Sequence, residues 1–219
     1  MALRLILVFM ILPWVALFES VGRAEGSANL HTWSIVRVER PLSDYLVAAQ
    51  LQHRYRFDQE KLFEEQVNLF TGRDTAHGVW TTIFTLGTLN GYERMNELRA
   101  ALQWLKDFAV SDIWTFNLRL RQELRKFAEI DELAPRFRVR YQISRRLDQN
   151  RSLSLNQELN FYQTDYIGEA SGFASLRTIL GYQFAAGDNE ASVSYLMDYR
   201  EDKQPIETRH VLLLAYTFL

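Results

Sequence analysis

The chain has 219 residues, 47% of them hydrophobic, with 25 basic and 27 acidic side chains and no cysteine. That length suits one domain or two small ones, and the near-balance of charge implies no general nucleic-acid-binding role. Without cysteine there are no disulfides, thiolate zinc sites, cysteine nucleophile or lipid-anchored cysteine, so stability has to come from burial or pairing.

The first residues read as an address. Met1–Arg4 is a short positive start, Leu5–Phe18 an apolar run and Glu19–Ala24 a polar end with Gly22 and Ala24 at the small-residue positions. This is the pattern of a secretory signal peptide, residues 1–24, cut after Ala24 to leave one domain, residues 25–219. The run falls short of the roughly 18 to 20 residues a spanning helix needs, although an uncleaved anchor is the alternative. Cleavage removes Arg4, Arg23 and Glu19 and leaves a net charge of −3. No later apolar run is long enough to cross a bilayer as a helix, so the remainder is either soluble outside the cytoplasm or a membrane barrel.

After a polar lead, Trp33–Arg40 is β-rich and ends at the turn-like Pro41-Leu42-Ser43-Asp44. Tyr45, Val47, Ala49, Leu51, Tyr55 and Phe57 then share one face of a strand, with Ala48, Gln50, Gln52, Arg54 and Arg56 on the other. Leu62–Thr71 and Val79–Leu89 are weaker strands joined through Gly72–Gly78, and Asn90–Asn96 reads as a loop. Leu98–Trp104 alternates as a strand, yet Leu98, Ala101, Leu102, Leu105 and Phe108 also fit a helical stripe, as do Leu124, Phe127, Ile130 and Leu133. An α+β soluble domain therefore stays open.

The clearest alternation runs from Ile113 to Ser144. Trp114, Phe116, Leu118 and Leu120 fall on one parity, and Asn117, Arg119, Arg121, Glu123 and Arg125 on the other. Phe137, Val139, Tyr141 and Ile143 then alternate with Arg136, Arg138, Arg140 and Gln142. At about 100° per residue these apolar side chains would smear around a helix; at a period of two they form one stripe. Leu153–Phe161, Ser175–Phe184, Ser192–Arg200 and Leu212–Phe218 continue the rhythm, separated by the turns Asp148-Gln149-Asn150 and Ala186–Asn189 and by longer loops at Gln163–Gly172 and Glu201–Glu207.

Eleven candidate strands of about 10 to 13 residues, with short turns alternating with longer loops and aromatics at strand ends, predict an all-β fold: an antiparallel transmembrane β-barrel. Bacterial single-chain barrels carry an even number of strands, so one of the eleven is expected to be wrong or missing, and the barrel is expected to have about 10 to 12 strands. A closed sheet pairs every backbone group in hydrocarbon without leaving an edge.

The chain resembles the domain-of-unknown-function 2490 family of Gram-negative outer-membrane barrels. The matching features are Thr32-Trp33-Ser34, Pro41-Leu42-Ser43, Gln52-His53-Arg54-Tyr55-Arg56-Phe57, the pair Arg119-Leu120-Arg121-Gln122-Glu123 and Arg136-Phe137-Arg138-Val139-Arg140-Tyr141, and Asn156-Gln157-Glu158-Leu159-Asn160-Phe161. The resemblance covers nearly all of residues 25–219 and implies an outer-membrane location; it brings no established activity or catalytic residues. Tyr216-Thr217-Phe218 resembles the aromatic-ended last strand read by the outer-membrane barrel assembly machinery, with Leu219 one residue beyond.

In such a barrel the inward faces gather Arg54, Arg56, Arg99, Arg119, Arg121, Arg125, Arg136, Arg138, Arg140 and Arg177 with Glu97, Glu123, Glu158 and Asp198. Two expectations follow. Either the lumen is filled by ion pairs so that no charge is buried alone, a structural role, or the excess of arginine leaves a narrow channel for small anionic solutes. Outer-membrane lipid and lipopolysaccharide are the expected partners, and loop-mediated ligand binding is a competing role. No enzyme is expected: His31, His53, His77 and His210 show no spacing that implies a triad, His53 is a base only in a lipid-hydrolase alternative, and His31 pairs with Ser34 only if the backbone permits. No cofactor or metal is expected, because no His-x-x-x-His or Glu-x-x-His pattern is present. Gly87, Gly91, Gly168 and Gly172 read as turn and bulge glycines.

Overall fold

The computed structural model describes residues 29–57, 61–90, 94–128, 130–165, 171–200 and 207–219. Eleven strands run in order: β1 (Asn29–Leu42), β2 (Tyr45–Arg56), β3 (Lys61–Thr75), β4 (Gly78–Asn90), β5 (Arg94–Ala109), β6 (Trp114–Phe127), β7 (Leu133–Arg146), β8 (Arg151–Tyr162), β9 (Gly172–Ala186), β10 (Asn189–Arg200) and β11 (Glu207–Phe218). They close into one barrel. The expected signal peptide, residues 1–24, lies outside the described residues, as do Gly91 and Gly168.

Each strand pairs antiparallel with its neighbour in sequence, and β1 closes the sheet on β11 in parallel, from Asn29 beside Arg209 to Val38 beside Phe218. Eleven lies within the expected 10 to 12, and the parallel seam is what lets the number be odd. Antiparallel neighbours all the way round require an even number; one parallel pair admits an odd one, so none of the eleven strands was miscounted. The seam also sends β1 and β11 in the same direction. Both start at the end that carries the longer connections, and both finish at the end carrying the turns at residues 43–44, 76–77, 110–113, 147–150 and 187–188.

The strands are 12 to 16 residues long, longer than the sequence pattern implied. Asn90 and residues 94–96 belong to β4 and β5 instead of a loop, and Gly72 lies inside β3 instead of a connection. The two stretches with helical stripes are strands, and no helix occurs among the described residues, which overturns the α+β alternative. The reason is tertiary: in β5 the period of two puts Leu98, Leu102 and Phe108 outside and Ala101 inside, and Ala101 packs with Ala48, Phe70 and Ile83 in a small lumenal cluster.

Turn chemistry holds the tight end. Gly78 has φ 127°, and an added Cβ would lie 2.5 Å from the Leu105 carbonyl oxygen. Around it the Thr75 hydroxyl donates to the Gly78 carbonyl at 2.6 Å, and the Trp104 indole donates to that of His77 at 3.1 Å. In the next but one turn, the Arg151 guanidinium and the Asn150 amide hold the exposed Asp148 carboxyl below its ordinary range.

Polarity is inverted relative to a water-soluble domain. Leu86 (63%), Leu180 (55%) and Phe84 (54%) are exposed on the outside, whereas Glu123 (0%), Asp198 (1%) and Glu97 (2%) are buried within. A soluble barrel hides its apolar face; this one hides its charges.

The seam makes a direct prediction. With Val36 and Tyr216 facing each other across β1 and β11, a Val36→Cys/Tyr216→Cys variant is expected to be joined by a short bifunctional thiol reagent in the folded barrel, shifting its gel mobility. A folded variant that is never joined would show β1 to lie elsewhere.

Candidate functional site

The lumen is the candidate site, and β6 and β7 build its densest part. Their register sets Arg119 against Arg140, Arg121 against Arg138 and Glu123 against Arg136. Two successive cross-strand pairs are thus like-charged, an arrangement that costs stability unless other groups neutralise it. The neutralising groups come from single carboxylates shared among several guanidiniums.

Glu123, fully buried, accepts from Arg136 Nε at 2.7 Å and from an Arg138 terminal nitrogen at 2.8 Å, with Arg121 at 3.4 Å. Glu158 on β8 is bonded by Arg119 and Arg138 and lies 3.5 Å from Arg177. Arg177 on β9 also donates to Asp198 on β10 at 3.1 Å. Further round, Glu97 takes Arg99 at 2.7 Å and Arg125 at 2.6 Å. Gly87 on β4 faces this carboxylate, and an added Cβ there would stand 3.8 Å from Glu97 Oε2 and 3.4 Å from Gln66. So Gly87 is neither a turn nor a bulge residue; it lies within β4 beside a buried ion pair.

Ion pairs therefore join Arg119, Arg121, Glu123, Arg136, Arg138, Glu158, Arg177 and Asp198 in one connected network, with Glu97, Arg99 and Arg125 as a second cluster further round. Arg54 pairs instead with Glu64 on β3, and Arg56 lines the cavity above it. Arg140 stands apart. No carboxylate lies within 4.0 Å of it among the described residues, and its hydrogen bond is to the Asn117 side-chain oxygen at 3.4 Å. Arg121 likewise leans on a neutral group, donating from Nε to the Gln103 oxygen at 3.0 Å.

Around these charges lies a cavity of about 660 Å³. Its lining includes residues that the sequence pattern did not single out: His31, Trp33, Ile35 and Arg37 from β1, Glu64, Gln66 and Asn68 from β3, and Arg200 and Arg209. Trp33 is a lumenal side chain. Its ring carries the Arg54 guanidinium at 4.1 Å and has that of Arg177 at 5.7 Å. Glu64 was obscured by its neighbour Glu65, since two adjacent acids give no parity; the inward pattern Glu64-Gln66-Asn68 could have revealed it.

The histidines separate. His31 points into the lumen and Ser34 out of it, three residues apart on one strand, so the backbone does not permit that pairing. His77 sits in the turn between β3 and β4, and His210 lies within β11, its Nδ1 2.5 Å from the Tyr195 hydroxyl on the outer wall. His53 is also outside, with Nδ1 3.2 Å from Glu65 Oε1. Ser34 is the residue directly across from His53 on β1, as Glu65 is on β3.

Removing one shared carboxylate strands several buried cations at once. Glu123→Gln is expected to cost about 3–5 kcal/mol in urea unfolding from detergent. Arg140→Gln, which breaks no ion pair, is expected to stay within about 1 kcal/mol of the parent. Equal effects would mean the network does not hold the barrel together.

No curated protein matches the chain. A family model described as "Protein of unknown function (DUF2490)" matches residues 30–209, from the second residue of β1 into β11 and so across all the elements that build the lumen. The chain belongs to the DUF2490 family.

Proposed function

We propose that this protein is an outer-membrane barrel whose lumen favours anions. The observation that carries this reading is the charge imbalance: nine guanidiniums from β2 and β5–β9 (Arg54, Arg99, Arg119, Arg121, Arg125, Arg136, Arg138, Arg140, Arg177) face five carboxylates (Glu64, Glu97, Glu123, Glu158, Asp198). Each buried acid is already used, so the residual potential inside is positive and concentrated by the apolar wall around it. The exposed apolar outer wall supports a bilayer setting, and the leader-like residues 1–24 support export. Outer-membrane lipid, including lipopolysaccharide, is then the surrounding partner. β11, ending in Tyr216-Thr217-Phe218, is the segment through which the barrel assembly machinery would act.

Planar-bilayer conductance under a salt gradient tests this. Discrete steps with anion preference are expected, and Arg119→Ser/Arg138→Ser or Arg140→Ser is expected to lower the ratio of anion to cation permeability. An unchanged ratio, or a folded barrel with no conductance, would overturn anion conduction through the lumen.

A second reading is favoured by the row Ser34, His53, Glu65 on three adjacent strands of the outer wall. It has the parts of an ester hydrolase facing lipid: Glu65 orients His53, His53 takes the Ser34 proton, and Ser34 Oγ bonds to the acyl carbon. The lipid alcohol then leaves with that proton, and water releases the fatty acid. Fatty-acid release from phospholipid micelles that disappears in both Ser34→Ala and His53→Ala is the expected outcome of that reading. No release, or release unchanged by Ser34→Ala, closes it.

A further inference from the structure

The cavity has two unlike walls. On β6 and β7, Arg119, Arg121 and Arg140 line it with the surplus charge described above. On the strands of the seam and those before it, Trp33, Ile35, Leu213, Leu196 and Ile179 line it with apolar surface. In a closed sheet of eleven strands, β1 lies diametrically across from the β6–β7 pair. The walls meet at Trp33, whose ring has Arg177 at 5.7 Å, and Arg177 in turn reaches Glu158, the acid that Arg119 bonds.

An inorganic ion would use only half of this surface. Arg140 has no carboxylate within 4.0 Å among the described residues and leans on the Asn117 oxygen at 3.4 Å, and Arg121 reaches Glu123 only at 3.4 Å. A guanidinium short of acidic partners gains charge-assisted hydrogen bonds from an oxyanion placed beside it in the cavity. Across from it, apolar side chains inside a charged lumen favour a body that displaces water without needing hydrogen bonds.

We infer that the lumen binds an amphiphilic organic anion, an oxyanion head held by Arg119, Arg121 and Arg140 with an apolar or aromatic body against Trp33, Ile35 and Leu213. This rests on the anion-favouring reading of the lumen and names its substrate class. The head is recognised by guanidinium forks, which suit phosphate and carboxylate alike. The body is recognised by shape and apolar contact, and its size is bounded by a cavity of about 660 Å³.

Trp33 supplies the readout. Replacing Trp14, Trp80, Trp104 and Trp114 by Phe leaves Trp33 as the only tryptophan in the protein, which is then placed in lipid nanodiscs and titrated with phenyl phosphate, inorganic phosphate or benzyl alcohol. Phenyl phosphate is expected to change Trp33 emission at a concentration about tenfold below either of the others, equivalent to ~1.4 kcal/mol. Arg140→Gln is expected to raise that concentration about tenfold, and Leu213→Ser to raise it for phenyl phosphate but not for inorganic phosphate. Phosphate matching phenyl phosphate would mean a head site alone; benzyl alcohol matching it would mean partition alone; no effect of Arg140→Gln would remove the arginines from the site. Any of these overturns the proposal. Because the readout is binding, not conduction, a silent bilayer recording would defeat the channel reading and leave this inference standing. Anion-preferring conductance without a phenyl phosphate response would do the reverse.

Discussion

Sharing of carboxylates is the interaction on which the rest of this barrel depends. Period-two alternation forces every second side chain inward, and on β6 and β7 half of those side chains are arginine. A narrow lumen cannot give each guanidinium its own shell of water, and burying an isolated ion costs several kcal/mol even after relaxation. Glu123 and Glu158 meet the cost by each accepting from guanidiniums on two or more strands, among them Arg136, Arg138, Arg119 and Arg177. These contacts reach beyond the nearest neighbour in the sheet: Arg119 on β6 bonds Glu158 on β8 across the intervening strand. Backbone pairing fixes which strands are adjacent. The shared acids add coupling between strands that never pair.

The same sharing explains why the network is both a support and a site. Three carboxylates, Glu123, Glu158 and Asp198, cannot neutralise all six of Arg119, Arg121, Arg136, Arg138, Arg140 and Arg177, so a region of positive potential is left over by arithmetic, not by a break in the packing. Arg140 carries most of it because its cross-strand partners, Arg119 on β6 and Glu158 on β8, are respectively a like charge and an acid already claimed by three others. The proposed selectivity for anions and the stability of the barrel therefore draw on the same residues. A single arginine substitution will move one, the other or both, according to how many acids that arginine touches.

Much of the wall was legible in the sequence because alternation survives wherever one parity is uniformly charged. On β6 and β7 the alternation and the inward parity of the arginines from Arg119 to Arg140 could be read directly, although the strand ends around Phe127 and Leu133 could not. Legibility failed where both parities were mixed. On β3, Glu64 and Glu65 stand side by side, one in the lumen with Arg54 and one outside with His53, and composition alone gives no way to choose between them. On β1, Trp33 and Ile35 face inward while Val36 and Val38 face outward, so a strand apolar on both sides hid its lumenal tryptophan. The row Ser34, His53, Glu65 was invisible for a different reason. It is a product of register between strands, which the order of residues along one strand does not contain.

Strand number was the remaining surprise, and its physical consequence centres on Trp33. Parallel pairing is slightly weaker per residue than antiparallel, so the β1–β11 seam is the ladder least able to hold on backbone bonds alone. β1 compensates through its side chains. Trp33 places an aromatic face against the Arg54 guanidinium from the neighbouring strand and against Arg177 from β9, while Leu196 and Val211 pack on it from β10 and β11. Cation–π contact with a desolvated guanidinium is worth about 2 kcal/mol, comparable to several ladder bonds at their net value. The seam is thus tied into the charged network at the one residue where the apolar and cationic walls meet. A ligand seated against Trp33 would load the closure of the sheet as well as the lumen, so the proposed binding and the closure would share one side chain.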